Sequence, residues 1–204
     1  MNIYSGRAIW PLSRTDVETD NHPDLFSIGV SLGRIPRFTG HTRELYTVLP
    51  HVLTVATIMP AEWGLYGLLH DAPEACVADV PTPWKTEGAR TLEKELYERI
   101  VRGYGLVWPI PEGVQAAVDK ADLKALGAEA HVIGHPKASD WWPEYDEAAA
   151  ELTAYHLRHV PQMMNAEVGG SIYEEAFASW ADKIDPDLIA DGDMLAAELG
   201  ALEA

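Results

Sequence analysis

Basic residues are scarce in this chain. There are 15 Lys and Arg against 32 Asp and Glu, giving a formal net charge of -17 over 204 residues. A broad nucleic-acid face needs cations to neutralise phosphates, so this balance excludes one, and it also disfavours anionic membranes. A small phosphorylated ligand stays open, because a bound cation and a few local basic groups can reverse the field inside one pocket. Cysteine is nearly absent. With Cys76 alone there is no intramolecular disulfide, no cysteine-based zinc ribbon and no CxxC redox site. Long apolar runs are also lacking: the longest, Val52 to Met59, is far short of the ~20 residues a membrane span needs. No basic region followed by an apolar core opens the chain, so it does not read as a secretory signal. The expected setting is reducing and cytoplasmic. Neither a GxxxxGK phosphate loop nor a GxSxG nucleophile elbow occurs. From Ile184 to Ala204 there is no Lys or Arg, while Asp185, Asp187, Asp191, Asp193, Glu198 and Glu203 are acidic. This tail reads as a solvated helix or frayed end.

What is present is helix. Hydrophobic residues make up 47% of the chain, enough for one domain with a sizeable core. Residues 1–23, with Gly6, Pro11 and Pro23, read as irregular structure with a short strand or hairpin. Asp24 to Arg34 reads as a short helix started by Asp24. Thr42 is placed to cap the next, in which Leu45, Val48, Leu49, Val52, Leu53, Ala56 and Met59 follow the helical repeat. Pro50 should disturb its early turns and Pro60 should end it. Ala61 to Asp71 is apolar on most sides and so should be central. Further helices are expected over Arg90 to Tyr104, from Pro111-Glu112 through Ala125, over Glu144 to Arg158, and over Ile172 to Lys183. With no repeat and no convincing strand series, the expectation is an all-α, compact single-domain helical bundle over residues 1–204. Its core would be about 24–135, and helices in about 144–204 would complete it.

The strongest local signal is His70-Asp71 at the end of a buried apolar helix. A neutral imidazole and a carboxylate can each give one ligand to a divalent ion. His51 lies on the preceding helix, and Pro60 between them permits an antiparallel return. Asp122 follows Ala121 and lies four residues after Val118. It is therefore carried near an apolar face, where an unpaired carboxylate is costly and a cation would satisfy it. Each of these residues has an ordinary structural role when taken alone; their joint spacing carries the argument.

That spacing, His51, His70-Asp71, Asp122, resembles the H…HD…D pattern of the HD-domain phosphohydrolases. The run from His70 through Glu74, Asp79, Pro81, Pro83 and Lys85 is similar to the HD-x-x-E-x(4)-D-x-P-x-P-x-K segment of bacterial 5'-deoxynucleotidases. Arg37-Phe38-Thr39-Gly40-His41-Thr42, followed by Tyr46 to His51, resembles a segment of phage HD-type dNTP (dATP) triphosphohydrolases. Pro50 departs from many relatives, which have Glu or Gln there. The likeness covers roughly residues 5–130.

The resemblance implies an HD-domain fold and a metal held by His51, His70, Asp71 and Asp122, with Asp71 and Glu74 as catalytic residues. Arg37, Phe38, His41, Asp79 and Lys85 would bind substrate: Arg37 and Lys85 on phosphate, Phe38 on base or sugar, Asp79 on a sugar hydroxyl. It further implies a homo-oligomer and, for a phage-encoded chain, a host-cytoplasm setting. Two imidazoles and two carboxylates suit manganese, cobalt, nickel, iron or magnesium better than a closed structural zinc site, with zinc still a candidate. No histidine lies between Asp71 and Asp122, so one metal is expected. The expected activity is a dNTP (dATP-type) triphosphohydrolase, with a 5'-deoxynucleotidase and a non-catalytic nucleotide-binding sensor as alternatives. Arg34, Arg37, Arg43 and Lys85 together tilt the reading towards longer polyphosphates. His156 and His159 read as surface residues, His22, His131 and His135 have no evident partners, and Trp141-Trp142 reads as core.

Overall fold

The computed structural model describes residues 4–6, 22–134 and 145–202. The stretch expected to hold a strand or hairpin, together with His135 and Trp141-Trp142, falls largely outside these residues. Asp24 opens the first helix, α1 (Leu25–Leu32), its carboxylate accepting from the Ser27 N–H at 2.7 Å. Helix α2 is Val48–Ile58. It starts later than the repeat suggests: Leu45 is 47% exposed, and the Thr42 hydroxyl donates to the Glu44 carbonyl instead of capping. Proline explains the shift. Pro50 falls in the first turn, where the N–H it lacks would have had no helical partner. The central helix is shorter than expected. A 3-10 turn (Ala61–Trp63) leads into α3 (Gly64–Leu69), every residue of which is buried. His70 to Pro73 then turn the chain into α4 (Glu74–Val77).

Helices α5 (Glu87–Gly103), α6 (Glu112–Val132), α7 (Glu147–Leu157), α8 (Val160–Met163), α9 (Ala166–Ala181) and α10 (Gly192–Leu202) follow. Among the described residues there is no strand, only isolated bridges between Pro36 and Thr47 and between Leu106 and Ile189. The all-α class is as expected. One contiguous core draws on residues from Leu25 in α1 to Leu195 in α10.

Two close approaches set the packing. Helix α1 lies so near α9 that a Cβ on Gly29 would run into the Gly169 carbonyl and Tyr173. Tyr173 crosses the core to donate to the Leu68 carbonyl at 3.1 Å, tying α9 to α3. At Gly105, φ is +73° and the Asp191 carbonyl fills the place of a side chain, so only glycine fits. The Gly105 carbonyl accepts from Ala190 and Asp191. This joint corrects the expectation for the acidic tail. Ile184, Leu188 and Leu195 are buried, and Leu199 and Leu202 pack on the same core. Asp187, Asp191 and Asp193 are exposed while its leucines pack on the core. Among the described residues no helix is long and apolar enough to cross a membrane.

Candidate metal centre

Three turns of chain meet at one corner. His51 projects from the first turn of α2, His70 and Asp71 from the turn after α3, and Asp122 from the middle of α6. His51, His70 and Asp71 each offer a ligand atom, and these atoms all lie within 4.8 Å of one another. The His51 Nε2 is 3.3 Å from the His70 Nε2 and 3.4 Å from Asp71 Oδ2, while His70 Nε2 is 3.3 Å from the same oxygen. Asp122 is outside that tight group and reaches it at the edge, its Oδ1 being 3.2 Å from His51 Nε2.

The donor chemistry suits a cation. His51 Nδ1 is 2.8 Å from Glu129 Oε1, and His70 Nδ1 is 2.8 Å from the Gly67 carbonyl. Both partners only accept, so each Nδ1 carries the hydrogen. In neutral rings both Nε2 lone pairs then face each other and a carboxylate oxygen, which is repulsive unless something positive sits between them. Metal–ligand bonds of about 2.0–2.3 Å place neighbouring ligand atoms about 3–3.4 Å apart, the spacing seen here. Protons can serve in place of a metal. Burial and Arg37 oppose the charge on His51, yet Glu129 and Asp122 push its imidazole up to about 10. Burial opposes the charge on His70 too, yet Asp71 raises it. Against burial, His70, His51 and Arg37 hold the Asp71 carboxyl well below the usual carboxylate range.

A cleft of about 450 Å³ opens beside the corner, lined by Arg37, Phe38, Asp71, Glu74, Asp79 and Lys85 among others. Glu74 is buried, and its Oε2 has no partner. Burial, then Asp71 and Asp79, push its carboxyl up to about 9. Burial also raises Asp79. Lys85 reaches Glu93 at 3.0 Å, and that partner raises its ammonium against the effect of burial. Phe38 and Thr39 hold left-handed backbone, φ +53° and +51°, which costs non-glycine residues of order 1–3 kcal/mol each. The turn brings Phe38 to 5.2 Å from the Arg37 guanidinium. A second cleft, about 430 Å³, opens on the other side of His70 and Asp122, with Arg90, Lys94, Tyr97 and Trp108 in its wall.

Several expected placements change. His41 is exposed and lines neither cleft. Arg34 donates to the Met164 carbonyl at 3.1 Å and Arg43 to the Val132 carbonyl at 2.7 Å, and neither lines either cleft. Arg37 is not a free two-pronged grip, because its Nε and Nη2 both donate to Glu129 Oε2, at 3.1 and 2.9 Å. His156 is buried, not at the surface, with Nδ1 3.0 Å from the Thr54 hydroxyl. His22 and His131 have partners, the Pro23 carbonyl at 3.0 Å and the Gly127 carbonyl at 2.7 Å. Glu129 is the residue that the sequence reading misses. The available signal is a stripe: it lies two turns after Asp122 on α6, in line with Val118, Ala121 and Ala125, so a carboxylate falls on a buried face.

No protein-family model matches the chain. Over 116 residues it is 34% identical to the uncharacterized protein YfdR of Escherichia coli (strain K12), covering 56% of this chain and 63% of that protein. An uncharacterized Rhodobacter capsulatus protein is 28% identical over 179 residues, 80% of this chain and 89% of that protein. The chain thus spans less than two thirds of the Escherichia coli relative. Neither name gives an activity, so the functional reading rests on the site.

Proposed function

We propose that the chain is a metal-dependent phosphohydrolase of the HD type, acting on a deoxynucleotide at the phosphorus nearest the sugar. The observation that carries this reading is the corner itself. Two imidazole nitrogens and a carboxylate oxygen converge lone pair to lone pair, Asp122 stands at the edge, and a cleft holding Glu74, Arg37 and Lys85 opens beside them. His51, His70, Asp71 and Asp122 would hold one divalent ion, with manganese and cobalt the first to test. When bound, that ion supplies Lewis acidity to a phosphoryl oxygen and to water. Lys85 and the Nη1 edge of Arg37, which Glu129 does not take up, would bind the anionic oxygens. Glu74, buried beside Asp71 and Asp79, would give a proton to the departing sugar oxygen as that P–O bond breaks, and would take one back from the attacking water as the new P–O bond forms. The apolar part of the cleft, Phe38, Val80, Pro81, Pro83 and Leu126, would receive the nucleoside and exclude water.

The substrate reading that leads is a dNTP of the dATP type, releasing triphosphate. Lys94 and Arg90 in the wall of the second cleft favour it, since they offer cations past the first phosphate, although Arg90 also donates to the Thr82 carbonyl at 3.0 Å and Glu93 and Asp119 share that wall. A 5'-deoxynucleotidase acting on dNMPs is the second reading. It is favoured by the loss of Arg34 and Arg43 from the cleft, which leaves Arg37 and Lys85, each with an acidic partner. A panel of dNMPs, dNDPs and dNTPs with manganese or cobalt, read as phosphate with and without added polyphosphatase, separates the two. Binding without turnover would establish a nucleotide sensor, and no turnover of any nucleotide with any metal would end the enzyme reading. The homo-oligomer is expected from the resemblance to HD-domain phosphohydrolases alone, and sedimentation would test it.

A further inference from the structure

The reaction outlined above leaves one fully buried charge without a task. Glu129 has no exposed surface. A carboxylate taken out of water is costly unless its oxygens are met. Both are: Oε1 faces His51 Nδ1 at 2.8 Å, and Oε2 accepts from Arg37 Nε and Nη2 at 3.1 and 2.9 Å. The far ends of both partners point into the site. His51 Nε2 faces His70 and Asp71, and Arg37 Nη1 lies 3.7 Å from Asp71 Oδ2. One carboxylate therefore stands behind a ligand and behind the cleft's arginine.

We propose that Glu129 is the positioning residue of this site, holding His51 as the tautomer whose Nε2 lone pair faces the metal while it pins Arg37 so that a single edge of the guanidinium meets substrate. The proposal rests on the corner's binding a metal, not on the nucleotide chemistry. Its rival is plain: Glu129 and Arg37 form a structural ion pair that His51 happens to touch. The two differ in what a glutamine would do. An amide has one accepting end and one donating end. With its oxygen towards His51, its NH2 group meets the Arg37 N–H donors. With its oxygen towards Arg37, its NH2 group meets His51 Nδ1, which drives the ring hydrogen to Nε2 and blocks the ligand nitrogen. A charged guanidinium is the stronger donor, so the second arrangement wins. Removing Arg37 as well frees the amide to turn back.

The test is a titration of metal-stripped protein with cobalt(II), read by calorimetry and by visible absorption, with circular dichroism to check the fold. Glu129→Gln should weaken cobalt binding by about 10- to 100-fold, the usual cost of losing a ligand's outer partner. The double variant Arg37→Met/Glu129→Gln should regain most of that loss, although it has lost more native contacts. Wild-type affinity in Glu129→Gln, or no recovery in the double variant, overturns the proposal. Should Glu129→Gln fail to fold, imidazole 15N NMR of the zinc-loaded wild-type protein tests the tautomer that the proposal requires. A hydrogen on His51 Nδ1 with metal on Nε2 supports the proposal, and the reverse refutes it. Cobalt uptake without turnover of any nucleotide would leave the positioning role standing and remove the phosphohydrolase. A wild-type protein that takes up no cobalt would remove both.

Discussion

Helix α2 carries two buried histidine contacts three residues apart, and they are opposite in character. At His51 the second ring nitrogen meets His70, Asp71 and Asp122, with Glu129 behind, and the imidazole is pushed up to about 10. At Thr54 the partner is His156 from α7, whose Nδ1 meets a hydroxyl and whose pKa is pushed down by burial, and next by His159, to about 4. Both rings are buried. Burial therefore marks neither as functional. What separates them is how many carboxylates converge on the nitrogen left over after the first hydrogen bond. The acid-rich end stores charge that a cation can replace, whereas the hydroxyl end is a neutral seam between two helices.

The sharpest way to break this contrast is Asp71→Ala. Asp71 sits in a turn with its side chain 22% exposed, so the fold should survive while metal content and turnover fall to background. Chelator should lower the wild-type melting temperature, since metal at 100-fold above its Kd adds about 2.7 kcal/mol, and should leave the variant's unmoved. Unchanged metal content in Asp71→Ala would sink the site. Next in size is Glu74→Gln, which should cut kcat by about 10²–10⁴-fold, the usual worth of a general acid or base. It should leave metal content intact. A parallel loss of metal would mean that Glu74 is a ligand instead.

How legible is this contrast in the sequence? The meeting of His51, His70 and Asp71, with Asp122 at its edge, is legible, because His70 and Asp71 adjoin and the others sit at helical offsets beside apolar residues. Glu129 is not, because the apolar repeat marks the helix only through Ala125 and the buried stripe runs further. His156 reads as surface because α7 is rich in alanine. The stripe Ala149, Thr153, His156 buries a polar ring among small residues, and a hydropathy pattern does not register that. The tail misleads for the converse reason. Its acidic residues hide the Leu195, Leu199, Leu202 repeat, which is helical and faces the core. The start of α2 is legible in principle, as Pro50 belongs in a first turn and not in a second.

The neutral end answers to pH. His156 folds with its pKa near 4, below the roughly 6.5 of an unfolded histidine. The unfolded chain therefore takes up the proton first, and stability is full above about pH 6.5 and declines as pH falls towards 4. Tyr155 stacks edge-on at 5.5 Å, and His159 adds to burial in opposing a charge on the ring. Between pH 7 and pH 5 this histidine should account for about 2 kcal/mol of lost stability. Urea unfolding of the wild type and of His156→Gln at the two pH values isolates that share. Equal losses in both proteins would show that His156 is not held neutral.

The smallest expected effect discriminates most finely. Thr54→Val removes a hydroxyl that lies 2.9 Å from the Pro50 carbonyl and 3.0 Å from His156 Nδ1, and keeps the volume. Leaving a buried nitrogen without its partner should cost about 1–2 kcal/mol, read as a lower urea midpoint with an unchanged slope. Metal affinity should not change, although Thr54 is one turn from His51 on the same helix. His51 is fixed by Glu129 from α6 and by the core around Val52 and Leu49, not by its position along α2, so a loosened α7 seam leaves it where it is. If cobalt binding weakened along with stability, the two histidine contacts would be one coupled unit, and the division of α2 into a charged end and a neutral end would fail.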